Sequence, residues 1–534
     1  MEKDHFVDVA LSGGGHRATL FGLGALLALV DLQINRRTTQ IASVSGGSIA
    51  NAFVALRCRF EEMTTETFDP IVQELATIVV NRGLLTGRWI WGFAAIAALA
   101  PLMAVALVLW HGHLPKLWVI VPALIVVWAA LILLRGLLVE RLLDARCFHS
   151  SRRVCLSDLR SKEVEHVICC TELTKPSPLY VSSWSQGCIY MRDVNLPTGD
   201  MLGIVWRAPN LPLAVAVRAS AGFPGIPPRR VQLDRFERVA GAREGFTFGG
   251  AVKPEPVRAS PSTVFVSDGG IWNNLATQVR LEDNIFRAGE PGEETPTVLF
   301  VVNASGRLGP QRPGRFVVPG WAEIKALVRI VNIQNLNTVS PRLEALRSVS
   351  VRNWTEDRRA TGSEPLTIQV GISSSPHDQL SNWTRPFVNR PKTLFSRLEW
   401  NWARNLVDSL EEILGGEESE GKAELILERV QDALARKPGP RTDEELRRID
   451  DLQSWRGFSE LCSLAGGKLE DVPTTLGRIP RETAKALIAR GYVNTLAGAY
   501  VFGVADSISL SLLSRERLDW LTGRLRNMPA RSSR

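Results

Sequence analysis

Three short segments of this 534-residue chain carry side chains whose types and spacing could do chemistry. In Ser12-Gly13-Gly14-Gly15-His16-Arg17-Ala18, between a strand pattern and a helix pattern, three glycines let the backbone turn its N–H groups inward at a helix N-terminus. Such a loop holds an anion, either a nucleotide phosphate or the oxyanion of an acyl-transfer intermediate. In Ser43-Val44-Ser45-Gly46-Gly47, a serine sits at a second strand-to-helix turn. A sharp turn there forces the side chain outward, and small neighbours let strand and helix approach. In Ser267-Asp268-Gly269-Gly270, an aspartate closes a strand, where α/β sheets bind ligands. Taken singly, the second segment also reads as an N-cap and the third as an Asp-Gly turn.

Together they supply a nucleophile, a base and oxyanion donors. Ser45 is the expected nucleophile and Asp268 its base. The N–H groups of Gly13, Gly14, Gly15 and Gly46 are the expected oxyanion donors. No histidine stands where a third triad member belongs; His16 lies inside the glycine loop and is read as a loop residue. The economical scheme is a Ser–Asp dyad. Arg17 is a candidate phosphate contact or a local structural tie, the latter preferred. The first loop is not GxGxxG, and no acidic residue stands about twenty positions on to hold a ribose, which weighs against a dinucleotide.

In this order the segments resemble the patatin-like phospholipase family, whose pattern is a GGGxRG loop, a GxSxG nucleophile and a DG[GA] aspartate. Ser43 stands for the first glycine of the second motif and Ala18 for the last of the first. Ala219-Ser220-Ala221-Gly222-Phe223-Pro224-Gly225 is similar to the family's ASxxxPG segment. Pro473-Thr474-Thr475-Leu476 and Arg490-Gly491-Tyr492 also look like bacterial members. The resemblance implies a three-layer α/β fold with a mostly parallel central sheet and a lipid acyl hydrolase of phospholipase A or lysophospholipase type. A non-catalytic membrane adaptor or regulated effector that keeps the fold is the alternative.

The elements that must position these residues follow from periodicity. Phe6–Leu11 and Gln40–Val44 read as strands. Residues 16–33 and a segment from Gly46, with Ile49, Phe53 and Leu56 on one face, read as helices. The 13 apolar residues from Ala18 to Val30 are too few to span a bilayer and fit a buried helix. Strand–helix–strand–helix order predicts a parallel sheet. Val164–Cys170, Leu179–Ser183, Thr263–Ser267 and Thr297–Asn303 are further strands, and residues 321–352 an amphipathic helix.

Between the nucleophile and the aspartate lie two charge-free runs, 89–110 and 117–134. At ~1.5 Å per residue they reach about 33 and 27 Å, the thickness of a bilayer core. Trp89, Trp91, Trp110 and Trp118 mark their ends, and the prolines Pro101 and Pro122 are tolerated within membrane spans. A transmembrane hairpin over 86–135 is therefore expected, with the bilayer as a partner through 89–134. Arg82, Arg88, Arg135, Arg141, Arg146, Arg152 and Arg153 flank it, whereas the connecting loop holds only Lys116 among basic side chains besides two histidines. Basic flanks stay cytoplasmic, which predicts an integral membrane protein of two spans with its catalytic domain on that side. The expected organisation is a catalytic domain in two parts, 1–85 and 136–310, split by the hairpin, then a helical region over 311–534 offering an oligomer surface. Polar breaks at 415–421 and 437–441 are linker candidates.

Composition agrees. The chain is 45% apolar, which excludes disorder, and its net charge of +8 is too diffuse for a nucleic-acid partner. Seven irregularly spaced cysteines suggest buried thiols, not disulfides. No signal peptide, metal or cofactor is expected; membrane phospholipid is the expected substrate.

Overall fold

The computed structural model describes residues 6–84, 136–148, 152–161, 163–174, 176–192, 203–222, 226–238, 262–281, 297–306, 366–380 and 440–505, with single residues between 99 and 134. The expected helix over 321–352 and the break at 415–421 lie outside these.

The parallel sheet read from the sequence is present at the core. Strand β1 (Phe6–Leu11) pairs in parallel with β2 (Thr38–Ser43) on one side and β10 (Thr297–Asn303) on the other. β11 (Leu366–Gly371) extends it beyond β10, and β3 (Glu165–Glu172) beyond β2. From β3 outward the sheet turns antiparallel. β4 (Ser177–Ser182), β5 (Cys188–Arg192), β6 (Gly203–Arg207) and β8 (Glu237–Arg238) form a meander. β9 (Thr263–Asp268) lies antiparallel to the second half of β3 and to β7 (Arg229–Gln232). The parallel reading thus holds for five strands; the short connections from β3 through β6 make that stretch antiparallel, because a parallel partner would need a long crossover.

Helix α1 (Gly15–Asp31) runs back from β1 to β2, and all of its residues are buried. It has no solvent face because α10 (Arg481–Val501) lies across it. The two backbones touch: a Cβ on Gly24 would meet the Ile488 carbonyl oxygen at 2.0 Å, and one on Gly491 the Phe21 carbonyl oxygen at 2.0 Å. Tyr492 donates to Asp31 at 2.9 Å across the same joint. The buried Arg490 guanidinium donates to the carbonyls of Ala465, Gly467, Ile372 and Ser374, tying β11's exit to the helices. Together with α8 (Pro440–Ser454) and α9 (Arg456–Leu464), this part of the C-terminal region shares one hydrophobic core with α1, α2 (Gly46–Arg57) and α3 (Thr65–Thr77). The region expected to be helical therefore also contributes β11, and it builds the fold from within.

Among the described residues no helix is long and apolar enough to cross a bilayer. The expected hairpin lies outside them except at a few positions. Of those, Leu99, Met103, Ile125, Val126 and Leu134 are helical, each 49–66% exposed. Helix α4 (136–142), directly after the hairpin segment, continues as a wider turn over Leu143–Phe148. Arg146 donates to the carbonyls of Gly83 and Leu84 at 2.9 and 3.0 Å, so the chain on either side of the segment meets at one place.

Candidate active site

β2 ends at Ser43, and α2 starts at Gly46. Between them Ser45 has φ 51° and ψ −116°, which a residue with a Cβ adopts at a cost of about 1–3 kcal/mol. Glycine at 46 is required because the turn runs against the first loop: a Cβ there would lie 1.9 Å from the Gly15 carbonyl oxygen. Thr19 bonds both backbones, donating to Gly46 O at 2.8 Å and to Gly15 O at 3.2 Å. Elbow and glycine loop are one rigid unit.

A buried polar network holds the elbow from below. The Ser45 N–H donates to Ser220 Oγ at 3.0 Å, and Ser220 donates to Cys169 O at 2.7 Å. Ser48 bridges Ser220 and Ser43, Asn51 reaches Ser43, and His166 Nδ1 meets Asn51 Oδ1 at 2.6 Å. Burial without a counter-charge lowers the His166 pKa to about 3, so the ring is neutral. Ser220 ends helix α5 (Leu213–Ser220). Its motif is legible in the sequence; its bond to the Ser45 N–H is not. Ser48 and Asn51 left a signal, two polar positions on an otherwise apolar helix.

Asp268 ends β9 beside Cys170, with the Ser45 side chain close enough to act on its carboxyl. Its Oδ1 accepts from the Gly270 N–H at 2.7 Å, and its carbonyl from Thr171 at 2.9 Å. Burial raises the carboxyl pKa to about 7, while the bonds from Gly270 and Ser45 pull the other way. A base titrating near neutrality is matched to proton transfer at that pH. The fold thus brings Ser45 and Asp268 to the same place.

The glycines expected to be donors differ in what their N–H groups meet. The N–H groups of Gly14, Gly15 and Gly46 have no acceptor among the described residues. The Gly13 N–H instead donates to Asn274 O at 3.0 Å, so Gly13 is not an oxyanion donor. Its role is clearance: a Cβ would meet Asn274 Oδ1 at 2.2 Å and the Ser45 Cβ at 3.2 Å. Asn274, which carried no sequence signal, anchors this turn through Ser305 at 3.1 Å.

Of the two readings for Arg17, the structural one holds. The side chain is 5% exposed, and all three guanidinium nitrogens are used. Nε donates to Ala304 O at 3.0 Å, Nη1 to Val472 O and Glu470 O, and Nη2 to Thr474 at 3.4 Å. Burial lowers its pKa to about 10, leaving it charged. His16 joins the same segment: its N–H donates to Thr475 O at 2.8 Å, and Nδ1 lies 2.7 Å from Gly477 O. Burial lowers its pKa to about 4, so it is a neutral donor and not a base. Gly15, at φ 60°, leaves room for Thr475, whose carbonyl oxygen would be 2.5 Å from a Cβ. Residues 470–477 therefore form a strap across the oxyanion loop.

All seven cysteines are free thiols, and among the described residues no group of three His, Cys, Asp or Glu side chains is placed to hold a metal ion. No model of a known protein family matches the sequence. No curated protein matches it either. Among solved structures the chain is similar to human GIVD cytosolic phospholipase A2, at 12% identity and a TM-score of 0.33, over 61% of this chain and 45% of that one. It thus spans less than half of that protein. It is also similar to VipD from Legionella pneumophila, at 13% identity and a TM-score of 0.25, over 94% and 92% of the two chains.

Proposed function

We propose that this protein is a membrane-anchored serine hydrolase of lipid acyl esters, with a patatin-like Ser45–Asp268 dyad. The observation that carries the reading is the strained Ser45 brought beside a buried Asp268, next to the unused N–H groups of Gly14, Gly15 and Gly46. Asp268 takes the hydroxyl proton as Ser45 Oγ bonds to the ester carbonyl carbon. The three N–H groups hold the resulting oxyanion. When the C–O bond to the alcohol breaks, Asp268 returns the proton to the leaving oxygen. Water, deprotonated by the same carboxylate, then releases the acyl group as a free acid and restores Ser45.

Lipid is the proposed substrate class because of what adjoins this site. The half-exposed apolar helical positions between 99 and 134 have an unfavourable aqueous surface and fit a bilayer. Both ends of that segment emerge beside the catalytic core, which would keep the dyad within reach of membrane phospholipid or lysophospholipid. The arginines flanking it favour a cytoplasmic active site. Reconstituted in phospholipid vesicles, the parent chain should release fatty acid and Ser45→Ala should not, with Ser45 labelled by a fluorophosphonate. A folded parent chain that neither labels nor hydrolyses lipid would instead indicate an adaptor that keeps the fold.

A further inference from the structure

The carboxylate of Glu140, on α4, is buried among three arginines. It meets Arg218 Nη1 at 2.6 Å, Arg229 Nε at 3.0 Å and, more distantly, Arg153 at 4.0 Å. Arg218 is the buried member; it also donates to Pro227 O at 2.9 Å. It lies so close to α4 that a Cβ on Gly136 would be 2.0 Å from its Nη2. Gly136 and Glu140, four residues apart, share one helix face: Gly136 leaves room for the guanidinium and Glu140 holds it.

Arg218 is two positions before Ser220 on α5. Ser220 Oγ accepts the Ser45 N–H, and Ser220 O accepts from Gly269, the neighbour of Asp268, at 3.4 Å. The end of α5 thus touches the backbone on both sides of the dyad. A buried ion pair with good geometry fixes relative position strongly, because separating it leaves an uncompensated charge. Placement of the acting groups to within an ångström governs the rate of the chemical step.

We propose that the Glu140–Arg218 pair is a positioning joint: it couples α4, the helix that leaves the membrane-anchoring segment, through α5 and Ser220 to the nucleophile. The seating of α4 then sets how well Ser45 is aligned. Neither residue touches substrate; both act through Ser220. The proposal rests on the reading of Ser45 as nucleophile.

The full-length chain in phospholipid vesicles is compared with Glu140→Gln, Glu140→Asp and Arg229→Gln. The readouts are the rate of Ser45 labelling by a fluorophosphonate, and kcat and KM for a water-soluble short-chain ester. Glu140→Gln, or Glu140→Asp if the first does not fold, is expected to lower labelling and kcat about tenfold with KM unchanged. Arg229→Gln breaks another contact of the same carboxylate, one that leads to β7 and not to α5, and should leave both rates unchanged. Adding Ser220→Ala to the Glu140 variant should give no further loss beyond the worse single variant, because the two cut one path. Equal losses from the Glu140 and Arg229 variants, or losses that multiply in the combined variant, would overturn the joint and reduce Glu140 to a fold-holding residue. A parent chain that does not label removes the nucleophile reading itself, and the joint with it.

Discussion

The Cα of Gly46 and the carbonyl oxygen of Gly15 are in contact, with no space for a methyl group between them. The Ser45 turn and the glycine loop are therefore set by one backbone approach. Gly46→Ala must part them, which moves the Gly14, Gly15 and Gly46 N–H groups away from the developing charge. Loss of well-placed oxyanion donors costs about 10²–10³ in kcat. Steady-state kinetics on the folded variant should show that loss with KM little changed.

The raised pKa of Asp268 fixes a pH profile. As a base it must be ionised, so kcat/KM should climb as pH rises toward 7 and level off above it. Stability runs the opposite way. The folded carboxyl keeps its proton to about pH 7, whereas the unfolded one loses it near its ordinary value of 3.8. Between those points the folded state binds more protons, so stability falls as pH rises, and the full cost is in place above 7. Asp268→Asn should abolish activity and melt higher than the parent at pH 8, with the gap closing toward pH 4. A flat rate profile from pH 5 to 8 would exclude Asp268 as the base.

Strain at Ser45 gives a second trade between stability and activity. Ser45→Gly removes the nucleophile and also relieves the positive φ. It should stabilise the protein by about 1 kcal/mol relative to Ser45→Ala, which keeps the strain. Thermal melts of the two inactive variants test this directly.

Arg17→Ala leaves the carbonyls of Ala304 and Val472 without their charged donor and frees the strap. Each buried acceptor left unpaired costs about 1–3 kcal/mol. The expected outcome is a lower melting temperature together with a lower kcat. Arg17→Lys, with a single ammonium in place of a fork, should recover only part of each. An Arg17→Ala protein with normal kcat would dissociate the strap from the oxyanion loop.

Much of the central fold was legible. β1, α1, β2 and α2 are dictated by apolar runs broken at glycine-rich turns, and β9 and β10 by short β-branched stretches. Ser45 and Asp268 were legible as a candidate pair because each sits at a strand end where little else fits. The antiparallel meander was only partly so; β5 and β6 are short and carry polar residues such as Arg192 and Arg207. β11 hid for the same reason, with LTIQVG mixing both characters. The partners of His16 and Arg17 were not legible at all. Apart from the Thr474 hydroxyl they are backbone carbonyls, which every residue has, and the most distant lies 461 positions away. Gly13 was misassigned as a donor because its N–H meets a carbonyl from a turn with no recognisable motif.

The strap also imposes an order on the making of the molecule. A nascent chain that has not reached residue 472 already holds Ser45, Asp268 and the hydrophobic segment, yet lacks Val472, Thr475 and Gly477, which fix Arg17 and His16. Its oxyanion loop has no template to close on. On the proposed function, Ser45 stays silent until residues 472–477 have left the ribosome, and a bilayer receiving the chain would be spared until then. Ribosome-stalled chains of increasing length, probed with a fluorophosphonate, should begin to label only once this late segment has emerged.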